Sequence, residues 1–560
     1  MGEIFLAGGG GASPARWPGS HAPDAIGYPC FQEATVLERR KQRMSTETFF
    51  VTTPIYYVND VPHLGHAYTT VAADFIARWH RMKGRDVLLL TGTDEHGQKV
   101  LRSAEAQGLT PKEWTDRIVP RWAEVWKALD IAYDDFIRTT EARHEGPVQT
   151  FVQELYDRGH IYLGSYEGLY CVGCESFKQP DDLVDGKCPL HNVAPEVVEE
   201  ENYFFRLSEY ADRLIELFTT DDRFVMPETR RNEVLGKVRQ GLDDLSISRV
   251  SFDWGIRVPW DPKHVIYVWI DALQNYITAI GYGADKARFE RIWPADVHLM
   301  AKDILWFHSV IWPAMLMALD LPVPRTVYAH GYLQVGGAKM SKSTLTGISP
   351  HDLLGTFGSD GFRYFFMREV SFGQDGNFSW EQMAARYNSD LANDLGNLAS
   401  RVLSMAGRYL GGTIPPPPTQ DELQPTDHAL MQVQRESFEE MSQAMDDIAL
   451  TDALKVCWRF VRKANAYVEE VAPWKLAKDV NERRRLEIVL YLLADSLRLL
   501  AMQVWAIMPR AADELWARLG LDGTVAGHGF DSDGAWFRLP ADATVHQGEP
   551  LFPRVDDARE

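Results

Sequence analysis

The order of elements between Thr48 and Gly108 constrains the fold more than any other feature of this sequence. Phe49-Phe50-Val51-Thr52 is a short aromatic and β-branched run of the kind that forms a buried strand. Pro54 and Pro62 bound a loop after it. Leu64, Val71, Phe75, Ile76 and Trp79 then recur at helical spacing, up to a stop near Gly84. Val87 to Thr91 makes a second strand, and a second helix runs from about Gln98 to Gln107, closed by Gly108. Strands and helices in this alternation bury their apolar faces as helices on a parallel sheet, so the spacing predicts an α/β fold of the doubly wound type.

The alternation is interrupted and then resumes. Residues 160–250 hold a cysteine cluster and many acidic residues. Val265 to Ile270 reads as a strand, Ile304 to Met317 as a helix and Thr326 to Ala329 as a further strand. An insertion therefore splits the sheet domain into residues 44–159 and 251–330, with a linking region at 331–390. From 391 to 560 the chain is all-α, a helical bundle. Leu486, Val489, Leu490, Leu493, Leu497, Leu500 and Val504 follow one helical face. Pro415 to Pro418 breaks an earlier helix, and Pro550 to Pro553 is an extended tail pinned by apolar side chains.

A chain of 560 residues is too long for one ordinary core, and 45% hydrophobic residues is too many for a mainly disordered chain. The exception is residues 1–43. Leu6 to Tyr28 is rich in Gly, Ala, Pro and Ser and lacks the basic-then-apolar order of a secretory signal, so disorder is expected, with Met44 as the natural start. No apolar run reaches the length of a membrane span. The net charge of −21 argues, by itself, against a nucleic-acid partner, although a local basic face is compatible with it. Five cysteines are odd in number and sparse, unlike a secreted disulfide framework, and a cytoplasmic location is the expectation.

Three segments carry chemistry. His63-Leu64-Gly65-His66 opens the first helix, where free N–H groups and the helix dipole favour phosphate. Two histidines at i, i+3 share one side of the first turn, and Gly65 permits close backbone approach. The bland alternative is a capped turn. Lys339-Met340-Ser341-Lys342-Ser343 follows Gly336-Gly337, a hinged cationic loop able to close over a triphosphate, or else a solvated basic loop. Cys171-Val172-Gly173-Cys174 and Cys188-Pro189-Leu190-His191 supply four ligands at the spacing of tetrahedral zinc. Four protein ligands leave no open position, so that zinc is structural. The alternative is reduced, buried cysteines.

The first two segments occurring together resemble the class I aminoacyl-tRNA synthetases. Pro54-Ile55-Tyr56-Tyr57-Val58-Asn59, Thr91 to Gly97, Tyr267 to Ala272 and Lys302-Asp303-Ile304 are similar to the methionyl members, and the resemblance runs from about residue 48 to the end. It implies a Rossmann-type catalytic domain split by a zinc-knuckle insertion, in which ATP, with Mg²⁺ on its phosphates, activates L-methionine for transfer to a tRNA with a CAU anticodon. His63, His66, Lys339 and Lys342 would be the catalytic cations. Gly65, Lys302 and Asp303 would join them at ATP, with Asp303 on the ribose. Asp94 would hold the α-ammonium. Ile55, Tyr57, Trp269, Ala272, Leu273, Tyr276, His308 and Trp312 would line the side-chain pocket, since aromatic rings suit a thioether. The helical domain would read the anticodon through Asn397, Arg401 and Trp474. The family's extra oligonucleotide-binding domain is not represented before Glu560, so a monomer is expected.

Two positions depart from the family pattern: Ala301 where glycine is usual, and Thr344-Leu345-Thr346 after the second motif. Both bear on ATP affinity. The rival readings are a leucine, isoleucine, valine or cysteine synthetase, a smaller adenylyltransferase, and an inactive RNA-binding scaffold. The short zinc-type insertion disfavours the branched-chain enzymes, which usually carry a large editing insertion. The closed ligand set disfavours the cysteine enzyme. The helical C-terminal part disfavours the adenylyltransferase. Retention of His63, His66, Asp94 and Lys342 disfavours the scaffold.

Overall fold

The structure is a computed structural model. It describes residues 47–556 apart from 172–175, 179–181, 190–191, 336–337 and 340–348. The extension 1–43, Cys174, His191 and Lys342 therefore lie outside the described residues.

Six strands form one parallel sheet: β1 (Thr48–Tyr57), β2 (Asp86–Asp94), β3 (Asp135–Arg138), β4 (Val225–Met226), β5 (Val297–Ala301) and β6 (Val327–His330), in the order β3-β2-β1-β5-β6-β4. Each neighbouring pair runs parallel. Phe50 to Thr53 are all buried, as expected of a central strand covered on both faces. The chain builds β2 and β3 to one side of β1 and returns with β5 and β6 on the other. That reversal opens a crevice beyond the carboxyl ends of β1 and β5, where doubly wound sheets bind ligands.

The sheet corrects three expectations. β1 continues past Pro54 to Tyr57, with a register shift between Thr52 and Ile55. Proline has no N–H to give the ladder, and an irregularity is where a strand tolerates it. β4 lies inside residues 160–250, so the return to the sheet begins before residue 251. Val265 to Ile270 is not a sheet strand. Only Val265–Ile266 is extended, pairing antiparallel with Ser248–Arg249, and a helix, Val268–Leu273, follows at once. A short apolar run does not distinguish a buried strand from a buried helix.

The insertion is a four-stranded antiparallel sheet whose long pair is Ile161–Cys171 with Glu196–Phe205. Cys171 and Cys188 are buried there.

The C-terminal part is helical as expected. Its principal helices are Asn397–Leu410, Pro425–Asp446, Leu450–Val471, Arg483–Val504 and Pro509–Arg518. Arg483–Val504 is buried on every side from Ile488 to Val504 rather than along one stripe, so it is the central rod of the bundle. Asn397–Leu410 ends at Gly411, in the left-handed conformation at φ 69°, before the proline run is reached. Phe552 pins the tail against Tyr387, with ring centroids 6.0 Å apart.

A buried ionic hub joins the sheet domain to the bundle. Arg363, on the helix Pro350–Glu369, is fully buried and lies 2.6 Å from Asp74 of the helix Leu64–Met82. It also donates to the carbonyls of Leu129, Ala506 and Ile507. Asp74 in turn takes Arg78 and the backbone N–H of Ala132. Removing one partner leaves an uncompensated buried charge. Arg363→Ala is therefore expected to cost about 3–5 kcal/mol. Chemical denaturation checks this, and a loss below about 1 kcal/mol would be that of a surface pair.

Candidate active site

The crevice is a cleft of about 450 Å³. Every sheet strand flanking the reversal contributes to it: Tyr56 and Tyr57 end β1, Asp94 ends β2, Ala301 ends β5 and His330 ends β6. Ala301 has φ −78° and ψ 153°, extended backbone that alanine adopts without strain.

At one end the helix Leu64–Met82 begins. His63 is its N-cap and takes the N–H of Gly65 at 3.0 Å, while the N–H of His63 donates to His66 Nδ1 at 3.3 Å. The two rings stack at 3.6 Å. A Cβ on Gly65 would sit 2.9 Å from His63 Cε1, so any larger residue here would have to displace the folded-back histidine ring. The motif is thus both a capped turn and a wall of the cleft. His66 also packs 4.9 Å from Tyr56 and from Trp122, which fixes its ring.

The other end is aromatic. Trp269 stacks on Phe307 at 4.0 Å and meets Tyr57 edge-on at 6.3 Å. The Tyr276 hydroxyl lies 2.7 Å from His308 Nε2, and His308 Nδ1 lies 2.9 Å from the Ile304 carbonyl. A carbonyl only accepts, so Nδ1 carries the proton and Tyr276 donates to Nε2. Burial pulls the His308 pKa down to about 4 and raises that of Tyr276. Both are neutral at ordinary pH, and this pocket wall therefore suits an uncharged side chain. Ile55, Ala272 and Leu273 complete it, and Asp94 sits nearly buried on the same cleft.

His63, Gly65, His66, Ile55, Tyr57, Asp94, Trp269, Ala272, Leu273, Tyr276, Asp303 and His308 are thus brought to one place. Two expected residues stand apart. Trp312 is fully buried behind Tyr276, at 6.4 Å, and does not border the cleft. Lys302 turns to Asp375 at 2.7 Å and lies 4.6 Å over Tyr332, which does border it. Lys339 pairs through its backbone with Gln334, in a hairpin leaving the rim at Leu333, and Lys342 lies beyond the described residues.

In the bundle, Arg401 lies 5.9 Å over the Trp474 ring and 2.6 Å from Glu469. Asn397 is exposed one turn earlier on the same helix. Ala472, at φ 48°, ends the preceding helix and turns the chain into Pro473 and Trp474. Arg483, Arg484 and Arg485 pair with Glu487, Glu422 and Asp427.

Comparison with known proteins decides the family. A family model described as tRNA synthetases class I (M) matches residues 49–194 and 178–403. A second, the anticodon binding domain of methionyl tRNA ligase, matches 417–560. The methionine–tRNA ligase of Streptomyces coelicolor is 51% identical over 535 residues, covering 92% of this chain and 98% of that one. This chain belongs to the methionyl class I tRNA synthetases. The Caldanaerobacter subterraneus methionine–tRNA ligase is 49% identical, covering 92% and 80% of the two chains. The structure of Mycobacterium tuberculosis methionyl-tRNA synthetase in complex with methionyl-adenylate superposes with a TM-score of 0.87 at 41% identity, covering 91% of this synthetase and all of that chain.

Several residues around the site were not read from sequence. Lys99 lies 4.5 Å over the Tyr57 ring, and Phe307 backs Trp269. His298, from β5, packs with its ring tilted 4.1 Å from Tyr276 and meets Thr52 at 2.8 Å. His330 meets Thr69 at 2.7 Å. His298 sits inside an apolar strand, where a lone histidine gives no signal of its neighbour.

The buried histidines make stability depend on pH with a definite sign. Burial lowers the pKa of His308 and of His330 to about 4, while an unfolded histidine titrates near the ordinary 6.5. Between these values the unfolded chain binds the extra proton, so stability falls as pH falls, by about 1.4 kcal/mol per unit for each histidine. His308→Gln is expected to remove one such contribution, read from denaturation midpoints between pH 6.5 and 4. An unchanged slope would contradict the neutral assignment.

Proposed function

We propose that the synthetase condenses L-methionine with ATP in this cleft and passes the methionyl group to a tRNA. Membership of the family and the likeness to an adenylate-bound relative support the activity. The single observation that carries the assignment to this site is that a helix N-terminus with two stacked histidines shares one cleft with Asp94 and an aromatic wall. Asp94 holds the α-ammonium, and Trp269, Tyr276, His308, Ile55, Leu273 and Ala272 enclose the thioether, each S···aromatic contact contributing about 0.3–1.5 kcal/mol. Trp312 supports Tyr276 from behind. A methionine carboxylate oxygen attacks the α-phosphorus of ATP. The bond to pyrophosphate breaks, and methionyl-adenylate forms. His63 and His66, with Lys339 and Lys342 of the Lys-Met-Ser-Lys-Ser motif, stabilise the charge that builds on the phosphates, and Asp303 takes the ribose. Mg²⁺, when bound, screens the phosphates. The terminal ribose hydroxyl of the tRNA then attacks the carbonyl, and AMP leaves.

Arg401, Trp474 and Asn397 form the anticodon-reading face for CAU, with the indole as a stacking surface for an unpaired base. Cys171 and Cys188, both buried, fit half of a thiolate-rich zinc site, which Cys174 and His191 complete; bound zinc supplies a structural cross-link in the insertion. The synthetase acts as a cytoplasmic monomer.

Pyrophosphate exchange into ATP with a panel of amino acids tests the activity: methionine alone is expected to support exchange, and leucine or cysteine dependence would assign a sibling enzyme. Trp474→Ala is expected to slow tRNA charging roughly ten- to a hundredfold, about 1–3 kcal/mol of lost base stacking, with exchange intact. Loss of exchange would make Trp474 structural. Elemental analysis is expected to give one zinc per chain, and a fully active zinc-free preparation would contradict the knuckle.

A further inference from the structure

Two walls of the methionine pocket are pinned to each other by buried groups that do not touch the cleft. Asp271 is fully buried on the helix Val268–Leu273, whose Trp269, Ala272 and Leu273 line the cleft. Its Oδ2 lies 2.7 Å from His96 Nδ1, and its Oδ1 lies 2.7 Å from His144 Nε2. His144 Nδ1 lies 2.8 Å from Thr278 Oγ1. His96 stands two residues after Asp94, on the loop that leaves β2. None of His96, His144 and Asp271 borders the cleft.

We propose that Asp271, by bridging His96 and His144, is a positioning residue that fixes the distance between Asp94 and the Trp269 wall and so governs methionine affinity. The inference rests on the reading of Asp94 and Trp269 as methionine contacts.

The chemistry allows little slack. An ionised carboxylate accepts only, so each facing imidazole nitrogen must present a proton. A buried carboxylate without partners is costly, which disfavours any arrangement that parts the helix from the loop. The loop is held from its other side as well. Glu95 accepts from Thr93, Thr140 and twice from Arg138, and its carbonyl takes Trp254 Nε1 at 2.6 Å. Asp94 is thus followed directly by two anchored residues, Glu95 and His96, and Asp271 is the anchor that reaches the opposite wall.

The charged groups facing His96 are Asp271, Glu145 at 3.8 Å and Glu95. Burial pulls the His96 pKa down, and these three carboxylates together outweigh it and raise it. For Asp271 burial acts upward, and His96 and His144 outweigh it, holding the carboxyl below its ordinary range. The surroundings therefore favour the His96–Asp271 ion pair, which fades as pH rises through the raised His96 value.

Exchange kinetics on the full-length enzyme test this with Asp271→Asn, Thr278→Val and Asp94→Asn. A displaced contact of about 1 Å costs up to about a hundredfold, so Asp271→Asn is expected to raise methionine KM by about ten- to a hundredfold, with ATP KM changed less than about twofold. Thr278→Val, which removes the hydrogen bond to His144 and a longer one to the Asn275 carbonyl, is expected to act in the same direction by a few-fold. A folded Asp271→Asn enzyme with unchanged methionine KM, or with both KM values rising together, would overturn the proposal. Should that variant fail to fold, an unchanged methionine KM in Thr278→Val would overturn it instead. If Asp94→Asn leaves methionine KM unaltered, the underlying site assignment fails. If Asp94→Asn raises it and Asp271→Asn does not, only the positioning role fails.

Discussion

The reversal of strand order between β1 and β5 is the constraint on which the rest of this structure depends. Parallel strands deliver their carboxyl ends to one rim, and the change of direction leaves a crevice between two of them. Tyr57, Asp94, Ala301 and His330 face that crevice because each ends a strand, and the first helix points its N-terminus at it because it follows β1 directly. A carboxylate, an aromatic wall and a helix N-terminus are adjacent as a consequence of topology.

Electrostatics then sort the rim by ligand. The pocket wall is kept neutral: burial depresses His308 and raises Tyr276, and the two satisfy each other by one hydrogen bond. A charged amino-acid side chain would have no counter-charge there and would lose its hydration. Among the described residues, the carboxylates and the one lysine that border the cleft are Asp60, Asp94, Asp303 and Lys99. Farther out, Arg401 lies over the Trp474 ring and pairs with Glu469, and Arg483 to Arg485 likewise pair with carboxylates.

Local pattern made much of this readable in advance. The strand and helix alternation gave the sheet domain, and the position of Asp94 at a strand end followed from Val87 to Thr91 being apolar up to that point. What stayed hidden depends on distance along the chain or on backbone detail. Asp271 meets His96 across 175 residues and His144 across 127, and no local spacing encodes such a meeting. The wide turn at Phe307 to Ile311, where the Trp312 N–H reaches back to the Phe307 carbonyl, sets His308 toward the cleft and Trp312 away from it. A regular helical wheel places both on the pocket. Val265 to Ile270 misled because six apolar residues suit either a strand or a helix, and the antiparallel partner Ser248–Arg249 ends the strand after two residues.

The central claim is that one cleft holds the amino acid at its aromatic end and the phosphates at its histidine end. A crystal structure with a non-hydrolysable methionyl-adenylate analogue measures this directly. The account predicts the ammonium about 2.7–3.2 Å from an Asp94 oxygen, the sulfur between Trp269 and Tyr276, and the phosphate surrogate at the Leu64–Met82 helix N-terminus. An analogue seated with its sulfur away from those rings, or its phosphate surrogate away from His63 and His66, would contradict it.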